Sequence, residues 1–403
     1  TEGNTDTVYL IRTKDDNTTE RTITWPSGFV WNGGTAPTLL NSANAGDAQV
    51  FKLTTRDNGA TWYAGEVVYN DNSTGYNLWS WGYNSYGTIG LSSRTKYSSP
   101  VQLPGSWIKF HQPASNYNGN TEGAPIFAAK GTSGSLWAWG INDDGQLGHN
   151  NTTHYSSPVQ LPGTNWACVR GMSQDASFAT KTDGTLWIWG KNSRGQLGQN
   201  QGPAQLAAVS SPIQIGSDTT WPTTDDKLGG GGGQTPMAIK TDGTLWAWGY
   251  NHSGYIGDNS TVWKSSPVQI PGTNWAKLSR GGGNTTSFGI KTDGTLWAWG
   301  YNDSGELGVN DRAHRSSPTQ IPGTSWSHVR HAVAANYGFR TDGTLWVWGD
   351  NGVGNLGLNA PETSDRSSPT QIPGTNWSDL VSCTNNALAI KTDGTLWSWG
   401  YQG

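Results

Sequence analysis

The chain has 403 residues, with 56 Gly and 24 Trp against only 25 Lys plus Arg and 29 Asp plus Glu. At 13 % charged residues it is weakly ionised for a globular chain, and a formal charge of −4 offers no basic footprint for nucleic acid or an anionic membrane. Its 24 Trp, 14 Tyr and 7 Phe exclude a disordered chain, and no apolar run approaches the ~20 residues of a membrane-spanning helix.

The chain begins at Thr1 rather than Met, as expected of a processed or partial product, so the absence of a targeting segment carries no weight. Cys168 and Cys383 are too few for a disulfide framework, and the sequence leaves open whether they pair. Residues 1–69 differ in composition from residues 70–403. Thr7-Val8-Tyr9-Leu10-Ile11 and Thr22-Ile23-Thr24-Trp25 read as strands, and Asn32-Gly33-Gly34 and Asp57-Asn58-Gly59 as turns. With Val50-Phe51-Lys52-Leu53 and Thr61-Trp62-Tyr63, the run Thr22 to Leu39 resembles a small β module of tail-fibre and other virion proteins of tailed bacteriophages. The alternative is an extra β-hairpin capping the adjoining domain. The expected boundary is 1–69 for this module and 70–403 for the repeats.

From residue 78 onward Leu-Trp-x-Trp-Gly occurs seven times, with its second Trp at Trp81, Trp139, Trp189, Trp248, Trp299, Trp348 and Trp399. Most copies follow Lys-Thr-Asp-Gly-Thr, and the first six precede Asn-x-x-Gly-x-(Leu/Ile)-Gly, Ser-Ser-Pro-x-Gln and a segment headed by a further Trp. The seven motifs and six Trp heads absorb every Trp except Trp25, Trp31, Trp62 and Trp263, so Trp usage is architectural. Alternation puts Leu296, Ala298 and Gly300 on one face and Trp297 and Trp299 on the other. Both faces are apolar, which suits a strand buried between stacked sheets. Asp293-Gly294 reads as a hairpin turn, and Pro318 and Pro322 fit edge strands and turns. Units of about 50 residues with four strands each cannot bury both faces alone.

Closing such units in a ring predicts an all-β chain: a seven-bladed β-propeller, with six complete repeats and a seventh completed by N-terminal strands, plus the small N-terminal β module. Six blades with a spare strand is the alternative. The Lys-Thr-Asp-Gly-Thr-Leu-Trp-x-Trp-Gly run with its Asn-x-x-Gly-x-Leu-Gly continuation resembles the regulator of chromosome condensation repeat family over about residues 70–403. That resemblance implies a seven-bladed propeller and little about function, since its members serve as exchange factors, ubiquitin-ligase modules and enzyme inhibitors.

Catalytic signatures are sparse. There is no phosphate-loop, zinc-protease, serine-hydrolase or dinucleotide motif. Gly229 to Gly233 lacks a following helix and reads as a strand connection. His328 and His331 fall on opposite faces of a strand. A calcium reading of Asn142-Asp143-Asp144-Gly145 fails on the equivalent loops, which lack the carboxylates. Asp225-Asp226 and Asp303 with Glu306 are candidate acid pairs that nothing in their spacing singles out. The expectation is therefore no enzyme, no metal and no cofactor. Recognition is expected on the insertions 111–125, 199–209 and 223–236, and on the rim aromatics Tyr83, Tyr86, Tyr250, Tyr255 and Tyr301.

Combined with the N-terminal resemblance, these readings predict a non-enzymatic virion adhesion protein of a tailed phage. Its partners would be other virion proteins through residues 1–69 and a host-surface glycan or protein through the propeller, with no nucleic acid and no membrane insertion. A secreted protein-binding propeller, such as an enzyme inhibitor, is the alternative, and a glycan-cleaving tail protein the third reading.

Overall fold

In a computed structural model of the chain, every Leu-Trp-x-Trp-Gly run is a β-strand, and the seven strands lie in seven separate sheets. The structure describes residues 6–13, 29–31, 48–55, 62–69, 76–82, 84–111, 125–130, 134–172, 176–231, 234–279, 286–331, 335–359, 364–382 and 386–400. A representative sheet runs Trp166–Met172, Ala176–Lys181, Leu186–Lys191, Ala208–Gln214, with each strand antiparallel to the next. Five of the seven sheets have all four strands. The first holds only Tyr76–Gly82 and Tyr97–Trp107, and the last Trp377–Ser382, Asn386–Lys391 and Leu396–Gly400. The fold is the expected all-β, seven-bladed propeller. Among the described residues the helical content is one 3-10 turn, Asp225–Lys227.

The N-terminal strands form an eighth sheet in the order Asp6–Thr13, Ala48–Thr55, Trp62–Tyr69, Phe29–Trp31. Its first strand lies against Trp377–Ser382 and Asn386–Lys391, and Trp62–Tyr69 lies against Tyr76–Gly82. The N-terminal strands therefore sit where the two ends of the ring approach each other. Their ladders run to one another, and the pairing of Tyr76–Gly82 is with Tyr97–Trp107.

Each element of the repeat has a physical reason. In Lys181-Thr182-Asp183-Gly184-Thr185, Gly184 takes a φ of +77° that a side chain would resist. The Thr185 backbone N–H and hydroxyl both donate to Asp183 Oδ1, and Trp187 Nε1 donates to Thr185 Oγ1 at 2.8 Å. The same relay recurs at Asp242, Asp293, Asp342 and Asp393. Lys181 then extends over Trp166 and Trp187, 4.9 and 4.2 Å from their ring centres. Lys240, Lys291, Arg340 and Lys391 do likewise, so the motif's cation is a cation–π clamp between two strands of one sheet.

The second Trp of the motif joins neighbouring sheets. Trp189 Nε1 donates to the carbonyl of Gln146 in the preceding repeat at 2.8 Å. Trp139, Trp248, Trp299, Trp348 and Trp399 make the same bond to Thr88, Gln196, Tyr255, Glu306 and Asn355. Trp81, Trp139, Trp189, Trp248, Trp299 and Trp348 are buried, as expected of core residues, and Trp399 is half-buried. A buried Trp removes roughly 150–250 Å² from water, which is worth at most ~4–6 kcal/mol. The loop glycines make room for this contact. A Cβ on Gly148 would lie 3.0 Å from Trp189 Nε1, and one on Gly145 2.6 Å from the backbone of Ser210, the first Ser of the next Ser-Ser-Pro.

Successive Trp-headed strands touch one another, which places them nearest the axis. There Arg170 donates to the carbonyls of Asp225 and Leu228, Lys277 to that of Ser327, and Arg330 forms a two-point ion pair with Asp379. Antiparallel alternation puts the Asn-x-x-Gly loops on one face of the ring, here the loop face. The Thr-Asp-Gly and Pro-Gly turns occupy the opposite face. A Cβ on Gly229 would come within 2.8 Å of Leu278 Cβ, so that glycine serves close packing of two axial strands.

Candidate binding site on the loop face

The loop face is built on buried asparagines. Asn142 Oδ1 accepts from the Leu147 N–H at 2.9 Å, and its Nδ2 donates to the carbonyls of Asn151 and Thr153. Asn84, Asn251 and Asn302 repeat all three bonds, and Asn192 closes its longer loop through Gln201 and Leu206. These amides are committed to the backbone, so the Asn-x-x-Gly run is a turn scaffold. Among the described residues no three His, Cys, Asp or Glu side chains are grouped to hold a metal.

On this scaffold three positions meet at each junction between sheets: the residue before the Asn, the residue two beyond the preceding loop's Asn, and the one just ahead of the Ser-Ser-Pro strand. Tyr86 packs edge-on against His154, their centres 4.8 Å apart, and His154 lies 3.3 Å from Asp143. Asp144 pairs with Lys191 at 3.2 Å at the next junction. Tyr301 stacks on His314 at 4.8 Å and donates to Asp303 at 2.6 Å. Tyr83 lies outside the described residues. Tyr255 is corrected: its side chain is buried because the fifth loop position points inward, and its carbonyl accepts from Trp299 and Ser287.

One junction differs from the others. Arg194 lies over Trp263 at 4.5 Å and over Tyr250 at 5.4 Å. Tyr250 in turn stacks with His252 at 6.2 Å and touches Tyr255 and Trp263, each at 5.5 Å. Trp263 is 42 % exposed and its neighbour Val262 64 %. The remaining exposed large hydrophobic among the described residues, Trp397, is on the last sheet, whose three strands include no Ser-Ser-Pro strand. Sequence reasoning named Tyr250 but missed Arg194, Val262 and Trp263. The signal that could have found them is that Trp263 is the sole Trp of residues 70–403 outside the repeat positions.

The other candidates do not form a second site. Glu306 is buried and accepts from the Ser304 N–H at 2.8 Å, the place that Gln146 and Gln196 fill in other loops. Burial raises its pKa, with Asp303 and Asp350 adding to the effect. Asp303 is exposed, so the two acids do not share a cleft. The turn Asp225–Lys227 does not project as a recognition loop; the Asp225 carbonyl is held by Arg170 at 2.7 Å. The segment 199–209 folds back onto Asn192, and most of 111–125 lies outside the described residues. His328 and His331 diverge as expected: His328 stacks on Phe339 at 4.2 Å, whereas His331 is buried near Phe288. Burial, reinforced by Arg330, pushes His331 down to about 4. Burial opposes ionisation of Asp379, but Arg330 and His328 overcome it and hold the carboxyl well below its usual range. Cys168 is buried, and Cys383 lies outside the described residues.

Seven sheets stapled in a ring, with one loop-rich face presented to solvent, define a repeat β-propeller suited to recognition. The model for the Regulator of chromosome condensation (RCC1) repeat matches residues 133–172, 183–224, 293–338 and 342–387. The chain is 27 % identical over 252 residues to the Ultraviolet-B receptor UVR8 of Arabidopsis thaliana, covering 62 % of this chain and 55 % of that protein. It is 25 % identical over 253 residues to the mitochondrial RCC1 domain-containing protein RUG3 of the same plant, covering 60 % and 54 %. It thus spans about half the length of these curated relatives. The structure of yeast RCC1 (Prp20) bound to Kap60 superposes with a TM-score of 0.63 at 18 % identity, covering 80 % of this chain and 78 % of that one, a likeness of fold.

These relatives are eukaryotic cellular proteins, and they overturn the expected function as a phage virion adhesion protein and the expected placement in a virion or as a secreted protein. The phage-like reading rested on short Trp- and Gly-containing runs in residues 22–63, most of which lie outside the described residues. Short runs of Trp, Gly and Pro recur in unrelated β-proteins, so such runs are weak evidence of ancestry.

Proposed function

We propose that this chain is a non-catalytic protein-binding propeller that engages its partner through the loop face around Arg194, Tyr250 and Trp263. The observation that carries this reading is the adjacent exposure of Val262 and Trp263 beside a stacked guanidinium, on a rigid face whose other junctions are closed by ion pairs or ring contacts. Exposed Trp and Arg on a preformed surface are the residue types that dominate protein interfaces. The complex of yeast RCC1 (Prp20) with Kap60 supports the reading, as an RCC1-type propeller held in a protein complex.

The test places a photo-crosslinking amino acid at residue 263 of the intact chain and, separately, at the exposed Thr241 of the turn face. After irradiation in extracts of cells that express the protein, a discrete protein adduct is expected from 263 and not from 241. Equal labelling from both positions, or none from 263, refutes it.

A further inference from the structure

The stacked guanidinium narrows the chemistry of the partner. We infer that the Arg194–Tyr250–Trp263 junction is a receptor for an acidic segment of a partner protein, one that carries an Asp or Glu carboxylate next to an aliphatic or aromatic side chain. This rests on the loop face being the binding face.

The charge pattern around the junction is the first support. Lys191 is neutralised by Asp144 at 3.2 Å, Lys264 by Asp258 at 3.1 Å, Arg312 by Asp365 at 3.3 Å, and Arg315 by Asp311. Arg194 has no carboxylate within ion-pair distance among the described residues. It lies over the Trp263 and Tyr250 rings, and His252 stacks with Tyr250. The patch therefore carries an unneutralised positive charge in a chain whose net charge is −4.

Geometry is the second support. The Arg194 backbone N–H is fixed by Gln196 Oε1 at 2.7 Å, and the guanidinium carbon lies over both rings, 4.5 Å from the Trp263 centre and 5.4 Å from that of Tyr250. A stacked guanidinium spends its face on the rings and keeps its N–H edge free for a two-point bond to a carboxylate. Because the side chain is already ordered, little conformational entropy remains to be lost on binding. Trp263 and Val262 supply the adjoining apolar surface. Burying an aliphatic side chain there excludes water from the ion pair and strengthens it. A basic segment would face Arg194 directly, and a purely apolar one would leave its charge desolvated without a partner.

The experiment selects a displayed library of random nine-residue peptides on the intact protein, with Arg194→Gln, Arg194→Lys and Trp263→Ala proteins in parallel. Peptides enriched on the wild-type protein are expected to carry Asp or Glu beside an apolar residue. The synthesised peptide should lose about tenfold or more in affinity when its acid becomes the amide, or when Arg194 becomes Gln. Arg194→Lys should recover only part of that loss, and wild-type affinity should fall as salt is raised. Enriched peptides without acid preference, lost on Trp263→Ala but not on Arg194→Gln, overturn the inference and leave the loop-face reading standing. Peptides bound equally by all four proteins overturn both.

Discussion

Replacing Gly257 by Ala tests a tight joint between neighbouring sheets. Gly257 ends the Asn251 loop at a φ of +89°, and a Cβ there would lie 2.8 Å from Trp299 Nε1 and 3.0 Å from its Cδ1. Trp299 is fully buried and tied to the Tyr255 carbonyl at 2.8 Å, so it has little freedom to withdraw. The backbone conformation alone costs a non-glycine residue about 1–2 kcal/mol. Forcing a methyl group into a packed core adds about 1–3 kcal/mol. The expected destabilisation is their sum, about 2–5 kcal/mol. Gly216 supplies the control: its φ is +58° with nothing within 4 Å of where a methyl would stand, so Gly216→Ala should show the backbone cost alone. Urea unfolding followed by Trp fluorescence reads both proteins on one scale. Gly308→Ala, whose methyl would meet Trp348 at 3.0 Å, should behave like Gly257→Ala. If Gly257→Ala and Gly308→Ala lose no more stability than Gly216→Ala, the Trp–Gly joint is not what holds neighbouring sheets together.

Glu306→Gln should be at least as stable as the parent at pH 7.5, because burial raises the Glu306 pKa and Gln accepts the same Ser304 N–H bond. A raised acid pKa means the folded state binds the proton more tightly, so the parent should recover as pH falls and the gap should close near pH 4.5, read from thermal midpoints across pH. His331 behaves oppositely. With its pKa at about 4 against 6.5, its contribution is fully present above 6.5 and is lost as pH falls toward 4, by about 3 kcal/mol in total. His331→Leu should flatten the acid limb of the stability profile without abolishing it, since burial also lowers His149 and His328. Lys291→Met should cost about 1–2 kcal/mol by removing the charge from Trp275 and Trp297, while Lys291→Arg should match the parent in urea midpoint, as Arg340 already fills this role.

The sequence was most informative where a residue's role is local and repeated. The alternation of Leu296, Trp297, Ala298 and Trp299 encodes a strand buried on both faces, and Asp293-Gly294 encodes the turn before it, since both depend on neighbours one to four residues away. Lys291 was legible as part of a motif but not as a clamp, because Trp275 and Trp297 stand on two strands that meet only across the strand carrying Lys291. The Trp–carbonyl staples span 42 to 52 residues, beyond any local pattern. Tyr255 shows the same limit from the other side: an aromatic in a loop looks accessible until the loop's Asn fixes which way it points.

By itself, the sequence determined an all-β ring of seven repeats, because a motif recurring every 49 to 59 residues cannot bury both faces of its strands except against copies of itself. The proposed binding face was decided by tertiary structure alone. Arg194, Tyr250 and Trp263 belong to two different repeats, and only the packing of one sheet against the next brings their guanidinium and rings within 4.5 to 5.5 Å. Repeats specify what each sheet is; the departures from the repeat acquire meaning only at the junction where two sheets meet.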